Sequence, residues 1–194
     1  MGLDAPQVEK TAMNVPNLLS ISRMVSVPVF IILMLDPTPL RALAAGIVFS
    51  LASITDWLDG YLARKWGQVT KIGKLLDPIA DKILIASALI MLVEIDPSKV
   101  PSWIAIVIIG REIAVTGLRA MAASEGVVIP AENLGKYKVG AQITAILSFV
   151  FNYYVQAEWP NDLGRTALWL AMGLALYSGF AYFANYWKRL NSHG

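Results

Sequence analysis

Asp56, Asp59, Asp77 and Asp81 fall within 26 positions, in the string DWLDGYLARKWGQVTKIGKLLDPIAD, and apolar runs flank that string on both sides. An ionised carboxylate at membrane depth is costly unless a partner charge or a metal compensates it. Four such acids together, with the nearby cations spread along the connection rather than clustered beside them, ask for a divalent cation. Four carboxylates without His or Cys form a hard, all-oxygen donor set. Such a set suits Mg²⁺, Mn²⁺ or Ca²⁺ rather than zinc. Two ions bridged by shared carboxylates would serve a phosphate displacement.

Spacing supports convergence of the acids. Asp56 and Asp59 are i, i+3 and share a helix face, and Asp77 and Asp81 are i, i+4 and share another. Gly60 and Arg64 continue the Asp56 face, and Gly73 lies one turn before Asp77. Other roles stay open at each position. Pro78 biases Asp77 away from helical geometry, so Asp77 also reads as an N-cap with Pro78 at the first helical position. Asp56 and Asp59 also read as an interfacial polar turn, and Asp81 as an ion pair with Lys82 or Lys74.

The elements that must carry these residues are apolar. The chain has 194 residues, 56% hydrophobic and 15% charged, against roughly 25% charged in soluble domains. Mean hydropathy is +0.56. Six runs approach the ~20 residues a helix needs to cross a bilayer: Leu18–Leu35, Leu40–Ala63, Pro78–Ile95, Val100–Ala123, Val139–Val155 and Thr166–Trp187. The expected fold is therefore all-α: a polytopic membrane protein with six transmembrane helices. It comprises one domain over 1–194, with a polar segment at 1–16 and a six-helix bundle over 17–190.

Charge sets the orientation. Of 16 Lys and Arg residues, only Arg41, Lys99 and Arg165 lie near the first, third and fifth connections. The remainder fall at the termini and the opposite helix ends, which is the positive-inside pattern. Both termini are then cytosolic, and all four aspartates lie at the cytosolic ends of the second and third helices. The net charge of +2 with dispersed cations gives no argument for nucleic acid. The absence of cysteine excludes disulfides and thiolate chemistry, and the sole histidine, His193, cannot build a triad within one chain. The acidic, polar start of the chain does not resemble a signal peptide.

The residues Asp56-x2-Asp59-Gly60-x2-Ala63-Arg64-x8-Gly73-x3-Asp77-x3-Asp81 resemble the full signature of the CDP-alcohol phosphotransferase (phosphatidyltransferase) family, with all eight positions filled. The resemblance extends over essentially the whole chain and implies displacement of CMP from a CDP-linked donor by an alcohol. It implies that Asp56, Asp59 and Asp77 hold a first Mg²⁺ or Mn²⁺ ion and that Asp56, Asp77 and Asp81 hold a second. Asp81 would also take the acceptor proton. Gly60, Ala63, Arg64, Thr70 and Gly73 would contact the CDP-diacylglycerol donor. Asn17, Ser20 and Arg23, spaced i, i+3, i+6, resemble the family's polar patch at the nucleotide, although Asn17 and Ser20 equally read as helix caps.

Two further strings bear on the acceptor. GREIAVTGLR, 110–119, puts Arg111 and Arg119 in an apolar run, and NLGKYKVGAQ, 133–142, adds Lys136 and Lys138. Cations at such places suit an acceptor that itself bears phosphate. Arg111 with Glu112 also reads as a structural pair, and Arg119 as an interfacial anchor. REIAVTGLR and DPIADK resemble the phosphatidylglycerophosphate synthase branch, which implies sn-glycerol 3-phosphate as acceptor. Where that branch usually has Gly-Lys-x-Lys-Thr, Val139 replaces the threonine. Phosphatidylinositol-phosphate synthases and cardiolipin synthases of the same family are the neighbouring readings. A divalent-cation transporter is a remote one, since the acids sit at one interface and no inverted repeat is visible. The resemblance further implies a homodimer in a bacterial inner or plasma membrane, in contact with membrane lipid, with its site facing the cytosol.

Overall fold

A computed structural model describes the backbone of residues 15–66, 71–124 and 134–190. Among these residues the fold is entirely helical: α1 (Val15–Met34), α2 (Pro39–Trp66), α3 (Lys71–Ile95), α4 (Ser102–Ser124), α5 (Leu134–Val155) and α6 (Glu158–Leu190). The all-α expectation and the order of six helices agree with this.

The turns at one end of the bundle follow from local chemistry. Thr38 caps α2: its Oγ1 accepts from the Arg41 N–H at 3.4 Å, and Pro39, lacking an N–H, sits where none is needed. After α3, Asp96 Oδ1 accepts from the backbone N–H groups of Ser98 and Lys99 at 3.2 and 3.3 Å, folding the chain toward α4. Partial burial pulls the Asp96 carboxyl upward. The hydrogen bonds from Ser98 and Lys99, together with the Lys99 charge, nevertheless hold it below the ordinary carboxylate range. α5 ends at Val155 and is followed by Gln156, whose φ of 54° is the left-handed turn that stops a helix.

Several helices begin earlier than hydropathy suggests. α3 starts at Lys71 rather than Pro78, and α6 at Glu158 rather than Thr166. The physical reason is that hydropathy reads only the apolar part of a helix, whereas backbone hydrogen bonding continues through polar turns such as EWPNDLGR. One open alternative closes with this. Pro78 lies inside α3, so Asp77 is not the cap of that helix.

The bundle's core is formed by Phe30 and Met34 of α1, Phe49 of α2, Leu89 of α3, Ile104 and Ile108 of α4, Ile146 and Val150 of α5, and Leu168 and Ala171 of α6. α2 packs between α1 and α5, and α6 packs against both α5 and α4. A smaller cluster joins Val115, Leu118 and Ala122 of α4 to Tyr182 and Tyr186 of α6. The outer faces are also apolar: Ile32, Ile47, Ile54, Ile90, Ile106, Leu170 and Phe180 are all exposed.

Among the described residues, one helical stretch, Glu158–Trp187 of α6, is long and apolar enough to cross a bilayer by length and composition. Elsewhere polar residues interrupt the runs: Arg111, Glu112 and Arg119 in α4, and Lys138, Gln142 and Asn152 in α5.

Gly164 sets the approach of α5 to α6. A Cβ there would lie 2.9–3.0 Å from three atoms of the Phe149 ring, which is itself fully enclosed. Gly164→Ala is expected to destabilise the fold by about 1–3 kcal/mol through overpacking. The check is a lowered midpoint of thermal denaturation in detergent.

Candidate active site

Two groups of residues need placing: the aspartate motif and the cations proposed for the acceptor. The motif occupies the facing chain ends of α2 and α3. Asp56, Asp59, Gly60, Ala63 and Arg64 lie on α2, and Gly73, Asp77 and Asp81 lie on α3. Each acid pair therefore stands about one helical turn apart on its own helix. The side chains of these residues, and Thr70 altogether, lie outside the described residues. The donor set itself fits a hard divalent cation, since carboxylate oxygens are the ligands such ions prefer. Among the described residues no group of three or more His, Cys, Asp or Glu side chains gathers to hold a metal.

Asn17 and Ser20 lie within α1, which begins at Val15, so neither serves as its N-cap. Their side chains are outside the description. Arg23, on the same helix, has no solvent exposure at all. A buried guanidinium is costly unless its charge is compensated, so apolar packing alone does not account for this residue.

The second group divides in two. Arg111 and Lys138 join one network, whereas Arg119 and Lys136 are exposed. Arg111 donates from Nε to the Ala175 carbonyl at 3.0 Å and from Nη2 to Ser178 Oγ at 2.7 Å, both on α6. Its Nη1 donates to Glu112 Oε1 at 3.2 Å. Lys138 of α5, 5% exposed, donates to that same Glu112 oxygen. Ser178 in turn donates to the Leu174 carbonyl at 2.6 Å, which leaves its oxygen free to accept from Arg111. One carboxylate on α4 thus ties α5 to α4, and one guanidinium ties α4 to α6. Gly179 makes room for this, because a Cβ there would meet Arg111 Cγ at 3.2 Å.

Glu112 also lines a recess of about 150 Å³ together with Lys82 and the side chains of Ile83, Ile108, Ile109 and Ile113. Lys82 directly follows Asp81 in α3. The structural pairing of Arg111 with Glu112, open in the sequence, is present. Sequence alone pairs Glu112 with Arg111 and anticipates neither its bond to Lys138 nor Ser178 as an arginine partner. For Glu112 the signal was available, in an acid next to arginine within an apolar run. For Ser178 it was not, because the contact spans 67 positions.

With this geometry in place, relatives become informative. The sequence pattern of the CDP-alcohol phosphatidyltransferase family matches residues 13–177. The chain belongs to that family. The match takes in α1 to α5 and most of α6, and so all the motif residues and all four proposed acceptor cations. Among family members, a Bacillus subtilis protein is 41% identical over 191 residues, covering 92% of this chain and 98% of its own. A Rickettsia bellii protein is 39% identical, covering 88% of this chain and 93% of its own. A Pseudomonas fluorescens protein is 39% identical, covering 94% of each. All three carry the name CDP-diacylglycerol–glycerol-3-phosphate 3-phosphatidyltransferase. The members of this CDP-alcohol phosphatidyltransferase set thus align with the chain nearly end to end.

Proposed function

We propose that this protein transfers the phosphatidyl group of CDP-diacylglycerol to sn-glycerol 3-phosphate, giving phosphatidylglycerophosphate and CMP. The observation that carries the reading is the intact eight-residue motif on α2 and α3, in a chain that aligns nearly end to end with relatives named for this reaction. The acceptor hydroxyl attacks the β-phosphorus of the donor, a phosphorus–oxygen bond forms, and the bond to CMP breaks. Phosphoryl-type transfer needs positioning and charge neutralisation more than covalent chemistry.

Asp56, Asp59, Asp77 and Asp81 are proposed to hold two Mg²⁺ or Mn²⁺ ions. Bound there, the ions supply the positive charge that stabilises the departing CMP. Asp81 accepts the proton of the attacking hydroxyl as general base. Arg64 holds donor phosphate, Gly60 and Gly73 let the nucleotide approach the backbone, and Ala63 leaves room beside it. Asn17, Ser20, Arg23 and Thr70 complete the donor site. Arg119 and Lys136 recruit the acceptor phosphate from the exposed side, with Lys138 and Arg111 behind them.

In this reading the six helices cross a bacterial inner or plasma membrane, with both termini and the site on the cytosolic side, and the protein works as a homodimer. The exposed apolar faces and the positive-inside distribution support that placement. A lipid donor and water-soluble CMP, meeting at one interface, favour it as well.

The test is CMP release by purified protein from CDP-diacylglycerol with a panel of acceptors. Release with glycerol 3-phosphate, lost on chelation with EDTA and restored by Mg²⁺ or Mn²⁺, is the expected result. Release with inositol phosphate or phosphatidylglycerol instead would reassign the acceptor. Indifference to EDTA would refute the metal reading.

A further inference from the structure

The cluster at Glu112 has an imbalance that packing does not require. Among the described side chains, two cations bond one carboxylate, and a third, Lys82, lines the same recess. Arg111 and Lys138 both bond Glu112 Oε1, and the charges of Arg111 and Lys82 both act on Lys138. Lys82 and Glu112 line the same recess, whose other walls are isoleucine and alanine. Among the described side chains cationic charge thus exceeds the one carboxylate in apolar surroundings, where charge is expensive unless matched. A phosphate carries charge of the opposite sign.

The two cations bound to Glu112 differ in how they can respond. Every nitrogen group of Arg111 is committed: Nε to Ala175, Nη2 to Ser178 and Nη1 to Glu112. Two of those bonds are to α6 and do not depend on Glu112. Lys138 has three donors on a flexible stem, and Glu112 is its one described acceptor. Lys138 can therefore exchange anions, whereas Arg111 stays fixed.

We propose that Glu112 is a built-in counter-ion for the acceptor-phosphate site, which an incoming phosphate displaces from Lys138. Acceptor binding is then an anion exchange. Glu112 keeps Lys138 oriented and neutralised while the site is empty, and yields it to a dianion but not to an uncharged alcohol. Glu112 is thus a positioning and specificity residue. The inference rests on the proposed function, of which it specifies the acceptor subsite.

The experiment uses full-length protein in detergent with inorganic phosphate as the probe. Binding is read as thermal protection, and separately as inhibition of CMP release. Removing the competing charge in Glu112→Gln is expected to tighten phosphate binding about tenfold, the worth of one charge-assisted hydrogen bond. Lys138→Gln weakens binding. The double variant Glu112→Gln/Lys138→Gln behaves as Lys138→Gln alone, because Glu112 acts through Lys138. Phosphate affinity that is unchanged or weaker in Glu112→Gln overturns the proposal. So does an equal gain in the Lys138→Gln background. If Glu112→Gln does not fold, Glu112→Asp withdraws the carboxylate by one methylene. An intermediate gain is then expected, and no gain overturns the proposal. Thermal protection needs no turnover, so the two readings fail separately. Tightened phosphate binding without CMP release from glycerol 3-phosphate defeats the acceptor assignment alone. CMP release with unaltered phosphate affinity defeats the counter-ion alone.

Discussion

Asp81→Asn is expected to lower CMP release by about 10³-fold or more, because in the proposed mechanism one carboxylate has two tasks. Asparagine cannot accept the acceptor's proton, and its neutral amide is a poor ligand for a hard dication. The two losses are separable. Excess Mn²⁺ can offset weaker metal binding, but it cannot supply a base. Titrating Mn²⁺ against the variant should therefore recover only part of the rate. Raising the pH should recover more, as hydroxide and solvent take over the proton. The comparison is Asp59→Asn, proposed to remove a metal ligand and no base, where excess Mn²⁺ should restore most of the rate. A fully active Asp81→Asn enzyme would falsify the base assignment.

Arg111→Met carries the largest expected effect on stability. The guanidinium joins α4 to α6 through Ala175 and Ser178 and meets Glu112, with its side chain 10% exposed. Methionine fills much of the volume but leaves the Ala175 carbonyl and Ser178 without their long-range donor, and Glu112 with Lys138 alone. Breaking one side of a buried charged network costs about 3–5 kcal/mol. The midpoint of thermal denaturation in detergent should fall accordingly. Arg111→Lys keeps the charge but cannot span three acceptors, so it should fall between wild type and Arg111→Met. If Arg111 served only to touch acceptor phosphate, both variants would keep wild-type stability and show only a raised KM for the acceptor.

The number and order of helices were legible because each helix is largely apolar and bounded by proline or charge, as DPTP at 36–39 separates α1 from α2. Their ends were less legible. α3 runs seven residues ahead of Pro78 because a helix in a packed bundle can absorb a proline that, in isolation, reads as a start. The Thr38 cap and the Asp96 turn, by contrast, are local and follow from residues within a few positions of each other.

The sequence by itself determined the aspartate motif. Its eight residues lie within 26 positions on two consecutive helices, so periodicity and one short connection are enough to relate them. It also determined that cations are concentrated in GREIAVTGLR and NLGKYKVGAQ. Only the tertiary structure decided what those cations do. Whether Arg111 meets Ser178, 67 positions away, depends on how α4 packs on α6, and the small residues Ala175 and Gly179 make that approach possible. Whether Lys138 meets Glu112 depends on α4 and α5 both packing against α3 and α6. Helical spacing relates residues along one face of one helix. It does not reveal which faces of distant helices are pressed together, so four equivalent cations in the sequence become two partners of Glu112 and two exposed ones.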